Sequence, residues 1–433
     1  MSNRSGITAD TTYPEAVVTL AGRRDYYQLP LALHEAGLLH SLITDLYWPA
    51  DRKWFAASLG RAASQGLIAK RFCQGLNSNK VQISVSALAA FALMSLSSKF
   101  SLNEYIDRVL SERARSTALR AKAALFCYTY YATEAFKHTR ETSRYRFLFM
   151  LQADPRLRRG ILEEEVTRTP AGRASLLAEP EFTLSPRHFQ ELCDEPHLAN
   201  GWVASSSFAA KTVAECGISA SDIHVVPYGV DSNVFTKRVA PPLSKEPFKV
   251  LYVGRIVQSK GLSYLFDAVR LLRSRKIEVV LCTRGGVDRD LLAAYSDLNL
   301  KIKTGLSGAR LAHEIHNSDV FVFPSLAEGF GHVILETMSC GLPVITTKNT
   351  CGPDVLVDGE HGFVLPIRDA NAIAEKMAWG IDHRAELGSM GEAAAAQSRL
   401  FTWDRFRTGV REAYKQMVIS VQDSKNSANL EGI

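Results

Sequence analysis

No Cys-x-x-Cys pair occurs in the 433 residues, and the seven cysteines, Cys73, Cys127, Cys193, Cys216, Cys282, Cys340 and Cys351, are odd in number and scattered. That argues against a disulfide framework or a cysteine-built zinc site and suits a reducing compartment, so a cytoplasmic chain is expected. The opening stretch, MSNRSGITADTTYPE, lacks the apolar core of a secretory signal. No internal repeat of fixed period is visible. Long uncharged runs are scarce. The one that stands out, VQISVSALAAFALMSLSS (81–98), just reaches the length of a bilayer span. Its five serines and four alanines leave it weakly apolar, and a buried or membrane-surface helix fits it better. A recognised nucleic-acid module is also missing, with little interleaving of aromatic and basic residues, so nucleic acid is not expected as a partner.

What is present is an ordinary globular composition, 46% hydrophobic and 22% charged, on a chain long enough for two or more domains. The net charge of +6 is uneven: residues 51–150 hold 16 Lys/Arg against 6 Asp/Glu, which leaves the rest of the chain net acidic. Such a block attracts phosphates, anionic lipid or nucleic acid; the alternative is a solvated helical face.

Apolar runs alternate with amphipathic stretches, the pattern of βαβ units in parallel sheets. In the first half, strands are expected in 15–25, 40–45, 124–137, 146–155, 201–217 and 223–231. The 124–137 and 201–217 stretches continue into helices, and the basic region 50–120 reads as mostly helical. RVAPPLSKEPF (238–248) is rich in proline and charge and suits a linker. The alternation then restarts, with strands at 248–254, 277–283, 319–324 and 343–347 and shorter ones at 299–303 and 361–366. A last amphipathic helix covers 401–418. The fold class expected is α/β, with two Rossmann-like doubly wound domains facing across a cleft. Their bounds are 1–237 and 245–400. A helix over 401–420 follows, then a polar, flexible tail over 421–433. Ligands in such sheets bind beyond the carboxyl ends of the strands.

Two stretches carry the chemistry. In PSLAEGFGHVILETMSCGLPVITT (324–347) a strand ends, a loop bears Glu328, and a helix starts near Phe330. A helix start offers unpaired N–H groups and partial positive charge, a ready phosphate site. Gly329 and Gly331 let backbone approach a ligand. Carboxylates suit sugar hydroxyls, so Glu328 and Glu336 on either side of a phosphate cradle point to a nucleotide sugar. In VGRIVQSKG (253–261), Arg255 and Lys260 follow a strand of the same sheet and could neutralise a diphosphate. Taken singly, these are paired glutamates and surface cations that occur by chance; their order along nearly a hundred residues gives the signal.

VGRIVQSKG, PSLAEGFGHVILETMSCGLPVI and CGPDVLVDGEHGF, in that order, resemble the motifs of the retaining glycosyltransferases of family 4, also called group 1, which have the GT-B fold. VVPYGVD is similar to the strand and loop before that family's linker. The resemblance is good over roughly 200–405 and weak before it. It implies that Arg255 and Lys260 hold the donor diphosphate, that Glu328 contacts the transferred sugar, and that Gly329, Phe330 and Gly331 give backbone contacts. Glu336 would bind the ribose hydroxyls. It further implies transfer with retention, no metal and no cofactor beyond the nucleotide-sugar donor. It also implies a terminal helix, around Trp403 to Tyr414, crossing back onto the first domain.

The first half departs from that pattern. Where many members have a glycine-rich loop after the first strand, this chain has AGRRDYY, with Gly22 alone; Arg23 or Arg24 could meet a diphosphate or an anionic acceptor, or be plain exposed arginines. LCTRGG (281–286) replaces a usual Gly-x-Gly step and brings Arg284 toward base or phosphate. In the family a polar residue at the end of a middle strand of the first domain contacts the donor sugar. RFLFMLQADP offers Gln152 and Asp154, with Asp154 equally a turn former before Pro155. Tyr128, Tyr130 and Tyr131 could line an acceptor site or form an aromatic cluster. His332 follows the glycine step, near phosphate or on a helix surface. The acceptor expected is a glycan or a lipid-linked glycan, in envelope or polysaccharide synthesis, with 51–150 docking on an anionic membrane face. The alternatives are a sucrose- or trehalose-type synthase with a soluble acceptor, and a non-catalytic partner that keeps the fold.

Overall fold

The computed structural model describes residues 12–48, 71–96, 102–139, 145–239 and 246–431. Much of the basic block (51–70, 97–101 and 140–144) and of the expected linker (240–245) lies outside them.

Among the described residues thirteen strands form two sheets. The first contains β1 (Ala16–Thr19), β2 (Leu39–Thr44), β3 (Val81–Ile83), β4 (Ala124–Tyr128), β5 (Arg146–Met150), β6 (Gly201–Ala204) and β7 (Ile223–Val225), in the order β3-β2-β1-β4-β5-β6-β7. The second contains β8 (Phe248–Val253), β9 (Ile277–Thr283), β10 (Leu300–Thr304), β11 (Val320–Phe323), β12 (Val344–Thr347) and β13 (Gly362–Leu365), in the order β10-β9-β8-β11-β12-β13. Every pairing in the second sheet is parallel, with Val320 opposite Val250 and Phe321 opposite Leu251. Strands covered on both faces read as near-continuous apolar runs, and β9, IEVVLCT, is buried throughout. Each sheet winds outward from its first strand, then restarts on that strand's other side. The restart falls between β1 and β4 in one sheet and between β8 and β11 in the other, and the crevice at such a point is where a doubly wound sheet takes its ligand.

By internal contacts the chain groups into two units: Met1–Leu148 with Leu198–Gly201 and Val410–Ile433, and Phe149–His197 with Trp202–Gly409. In the first unit, Tyr414 is fully buried, stacked 6.2 Å from Phe126 and edge-on to Phe147 at 5.5 Å, and its hydroxyl donates to the Pro14 carbonyl at 2.7 Å. Tyr414 lies on a helix that runs Trp403–Glu431. In the second unit an aromatic cluster joins Phe149, Tyr228, Phe330, His332, Trp403 and Phe406.

The strand β3 has too few residues for a period-2 pattern to show, and it breaks the uncharged run 81–98. Val81–Ile83 pairs with β2, and a 12-residue helix, Val85–Leu96, follows. Ala87 and Ala90 of that helix are buried while Val85 and Leu93 are exposed. Among the described residues no helix is long and apolar enough to cross a membrane. The seven cysteines are free thiols, six of them buried.

Candidate active site

The restart between β8 and β11 places two loops back to back in the second unit. After β8 the chain passes through Arg255 and a single turn, Gln258–Lys260, to Gly261. After β11 it passes Pro324 to Glu328 and the glycine step. The loops touch closely: a Cβ on Gly261 would lie 2.0 Å from the Pro324 carbonyl oxygen, and the Leu326 N–H donates to the Ser259 carbonyl at 3.2 Å. This packing brings Lys260 and Glu328 together, and the ammonium donates to Glu328 Oε2. Both side chains are largely covered, 15% and 23% exposed, yet each keeps an open edge.

The glycine step is fixed from below. The Gly329 carbonyl accepts from Ser206 Oγ at 2.5 Å, and Ser206 also caps its own helix, Ser207–Glu215, by accepting from the Ala209 N–H. A Cβ on Gly329 would lie 2.0 Å from the Leu151 carbonyl oxygen and 2.8 Å from the Gln152 Cα. Gln152 is thus beside the step, with its side chain exposed. Gly331, at φ +87°, is the N-cap of the helix His332–Ser339, and no side chain caps that end. Phe330 is buried edge-on against Tyr228 at 5.0 Å, so it anchors the step while its backbone lines it. His332 stacks 4.5 Å from Tyr228, and burial pushes its imidazole down to about 4, which keeps it neutral near pH 7. One turn on, burial pushes the Glu336 carboxyl up to about 7, with the charge of Arg284 acting the other way. Arg284 itself is exposed, in the loop after β9.

Arg255 is held at one nitrogen. Its Nη2 donates to both oxygens of Glu179, at 2.8 and 3.0 Å, while 48% of the side chain stays exposed. Asp154 is 2% exposed. It is the N-cap of the helix Pro155–Arg168, and Arg156 takes both its oxygens at 3.1 and 2.9 Å. The geometry gives Asp154 the turn-forming role.

The glycosyl transferases group 1 family model matches residues 233–397, the span that carries Arg255, Lys260, Glu328, the glycine step and Glu336. That span of the chain is similar to the group 1 glycosyl transferases. Over 234 residues the chain is 32% identical to a D-inositol 3-phosphate glycosyltransferase from Arthrobacter sp. (strain FB24), covering 50% of this chain and 55% of that protein. Over 165 residues it is 32% identical to the capsular polysaccharide biosynthesis glycosyltransferase CapM of Staphylococcus aureus, covering 37% and 43%. The chain thus spans about half the length of the curated relatives it matches. Likeness of fold reaches further. A sucrose-phosphate synthase from Thermosynechococcus elongatus superposes with a TM-score of 0.64 at 17% identity, over 94% of this chain and all of the other. The Anabaena protein HepE, in complex with UDP-glucose, gives 0.59 at 16% over 93% and 100%. The fold is therefore GT-B.

The group 1 match stops short of the first unit, where Gly22 and Tyr128 lie. The Gly22 N–H donates to Asp45 Oδ1 at 2.9 Å, so it is already used. Tyr128 is fully buried, which places it in the core and not on an acceptor surface; its hydroxyl donates to Asp25 Oδ2 at 2.5 Å. Tyr131 is buried as well and accepts from Arg24 Nη2 at 3.4 Å, while the Arg23 guanidinium lies 4.7 Å from the Tyr26 ring centre.

Among the buried carboxyls that sequence reasoning passed over, Asp25, Glu165 and Glu179 bear on the strand-end loops. Asp25, 5% exposed, sits in a run of three left-handed residues, Asp25 to Tyr27, and burial pushes its carboxyl up to about 7. Glu165 is fully buried and accepts from Gln258 Nε2 at 2.8 Å, Tyr264 Oη at 3.0 Å and Arg368 Nε at 2.9 Å. Glu179 is 1% exposed. LRRGILEEE shows the first of the two glutamates only as one of three in a row, and Glu179 stands in no motif, so nothing local marks either.

Proposed function

We propose that the protein is a retaining glycosyltransferase that moves a sugar from a nucleoside diphosphate to a glycan or lipid-linked acceptor, in envelope or polysaccharide synthesis. The observation that carries this reading is the meeting of Lys260 and Glu328 at the uncapped helix start of Gly331. A cation for phosphate, a carboxylate for sugar hydroxyls and a row of backbone N–H groups converge on one point. Lys260, Arg255 and the helix terminus neutralise the diphosphate as charge moves onto it, the role a divalent cation plays elsewhere. Glu328 orients the transferred sugar. In a front-face attack the acceptor oxygen bonds to the anomeric carbon as the bond from that carbon to the phosphate oxygen breaks. The leaving oxygen takes the acceptor's proton, so no separate base is needed. Glu336 accepts from the ribose hydroxyls.

The test is a panel of nucleotide sugars incubated with the protein without acceptor, assayed for released nucleoside diphosphate. Slow release from one donor is expected, and unchanged release in EDTA supports the metal-free reading. Release from none, with no nucleoside diphosphate binding by calorimetry, favours a non-catalytic partner that keeps the fold. A groove of about 950 Å³ supports an acceptor site. It is lined by Leu157, Phe208, Lys211, Lys348 and Asn349, and the Asn349 carbonyl accepts the Glu328 N–H at 2.9 Å. Membrane docking through the basic block and the exposed Val85 and Leu93 would favour a lipid-linked acceptor over a soluble one, and flotation with anionic vesicles distinguishes the two.

A further inference from the structure

The loop that carries Arg255 and Lys260 is gripped along its back by a segment distant in sequence. Glu179 Oε1 accepts from Ser259 Oγ at 2.7 Å and from Arg255 Nη2 at 2.8 Å; Oε2 accepts from the same Nη2 at 3.0 Å and from Arg158 Nη2 at 3.1 Å. Between those two points Gln258 is held as well. Its N–H donates to Ser175 Oγ at 3.1 Å and its side-chain amide donates to Glu165. Burial alone pushes the Glu179 carboxyl up, but Arg158, Ser259 and Arg255 together hold it below the usual carboxylate range, so it stays ionised. Arg158 is buried too and has a second carboxylate partner, Glu181, so it does not depend on Glu179 alone.

A guanidinium has five N–H donors in a planar fork. Glu179 engages only Nη2. That anchors one end of the group while Nε and Nη1 keep their donors for a ligand. An arginine on an unsupported loop would surrender side-chain entropy on binding. A pre-oriented one has surrendered it during folding. Building on the donor site proposed above, we infer that Glu179 is a positioning residue. It presents Arg255, and through Ser259 the turn that bears Lys260, as a fixed pair of cations to the diphosphate of the donor.

The experiment compares nucleoside diphosphates with their nucleosides (UDP, GDP, ADP against uridine, guanosine, adenosine) by calorimetry on wild type, Glu179→Gln and Ser259→Ala. Glu179→Gln is expected to weaken the diphosphate that wild type binds by tenfold or more, with the nucleoside changed less than twofold. In turnover the same variant is expected to raise KM for the donor about tenfold with kcat within threefold. Ser259→Ala should lose three- to fivefold in diphosphate affinity while keeping a native circular dichroism spectrum and a cooperative melt, and it decides the matter if Glu179→Gln does not fold. Equal loss for nucleoside and diphosphate overturns the proposal, since that marks a merely structural role. So does tighter diphosphate binding, which would mean that the carboxylate competes with phosphate for Arg255. Wild type that binds no nucleoside diphosphate overturns the donor-site reading itself, a different failure.

Discussion

Each sheet restarts beside its first strand, and in each a strand-to-helix loop crosses that point, but the two loops end differently. After β1, the loop Gly22–Tyr27 fills its own helix start. Asp25 Oδ2 accepts the Leu29 N–H at 3.0 Å, and Asp45 takes the Gly22 N–H. After β11, the helix begins at Gly331 with no side-chain cap, and the nearest carboxylate, Glu328, bonds to Lys260 instead. A helix start is a partial positive charge that something negative must meet. In the first loop the protein supplies its own acceptor; in the second it leaves the place for a ligand. The lesson is that strand-end position alone does not mark a phosphate site. The capping state of the following helix does.

The sharpest way to break that contrast is to discharge the open loop. Lys260→Ala and Glu328→Gln are each expected to lower donor turnover by about a hundredfold or more, the usual scale for removing an electrostatic partner of a developing charge. Circular dichroism and melting temperature should stay near wild type, because each side chain keeps an open edge. Near wild-type rates in both variants would move the donor site elsewhere.

Glycine substitution separates the loops by their packing. Gly329→Ala puts a methyl group against the Leu151 carbonyl, with backbone on both sides, and is expected to cost about 3 kcal/mol and most activity. Gly22→Ala meets only Arg71 Nη1, at 3.7 Å, so the strain of φ +78° is all it adds, about 1–2 kcal/mol. Denaturant melts of the two variants measure the difference directly.

These effects also show what was legible in the residue string. Strands β8 to β13 follow from the alternation of apolar runs, and the helix after β11 from its glycine step. Lys260, Glu328 and the glycine step stand in ordered motifs because short loops at strand ends bring them together. Asp25, Glu165 and Glu179 were not legible. Their partners lie far along the chain: Tyr128 at 103 residues, Gln258 at 93 and Arg255 at 76. No local pattern reports such pairings. Tyr128 misled for the opposite reason, because an aromatic hydroxyl at a strand end looks like a binding group until a buried carboxyl is seen to claim it. The short strand β3 had no periodicity to read.

Asp25 and Glu336 complete the comparison, because burial pushes both carboxyls up to about 7 and the loops make opposite use of it. For Asp25 the effect belongs to stability. A carboxyl whose folded value lies above its unfolded one is protonated in the native state while the unfolded chain has already ionised. Stability therefore falls as pH rises from about 4 to 7 and is level above. Asp25→Asn should match wild type near pH 4 and be more stable, by on the order of 2 kcal/mol, at pH 8, as read from melts at the two values.

For Glu336 the effect belongs to binding and is smaller. Ribose hydroxyls donate to a carboxylate, so the ionised form binds and the protonated form must first lose its proton. Nucleoside diphosphate affinity is expected to be level above pH 8 and to fall about fivefold to tenfold between pH 8 and pH 6, as a group titrating near 7 becomes protonated. Glu336→Gln should bind more weakly at pH 8 and show a flat profile, while Asp25→Asn should leave the wild-type profile in place. A profile that flattens with Asp25→Asn instead would assign ligand binding to the loop after β1, and the contrast between a self-filled and an open helix start would be reversed.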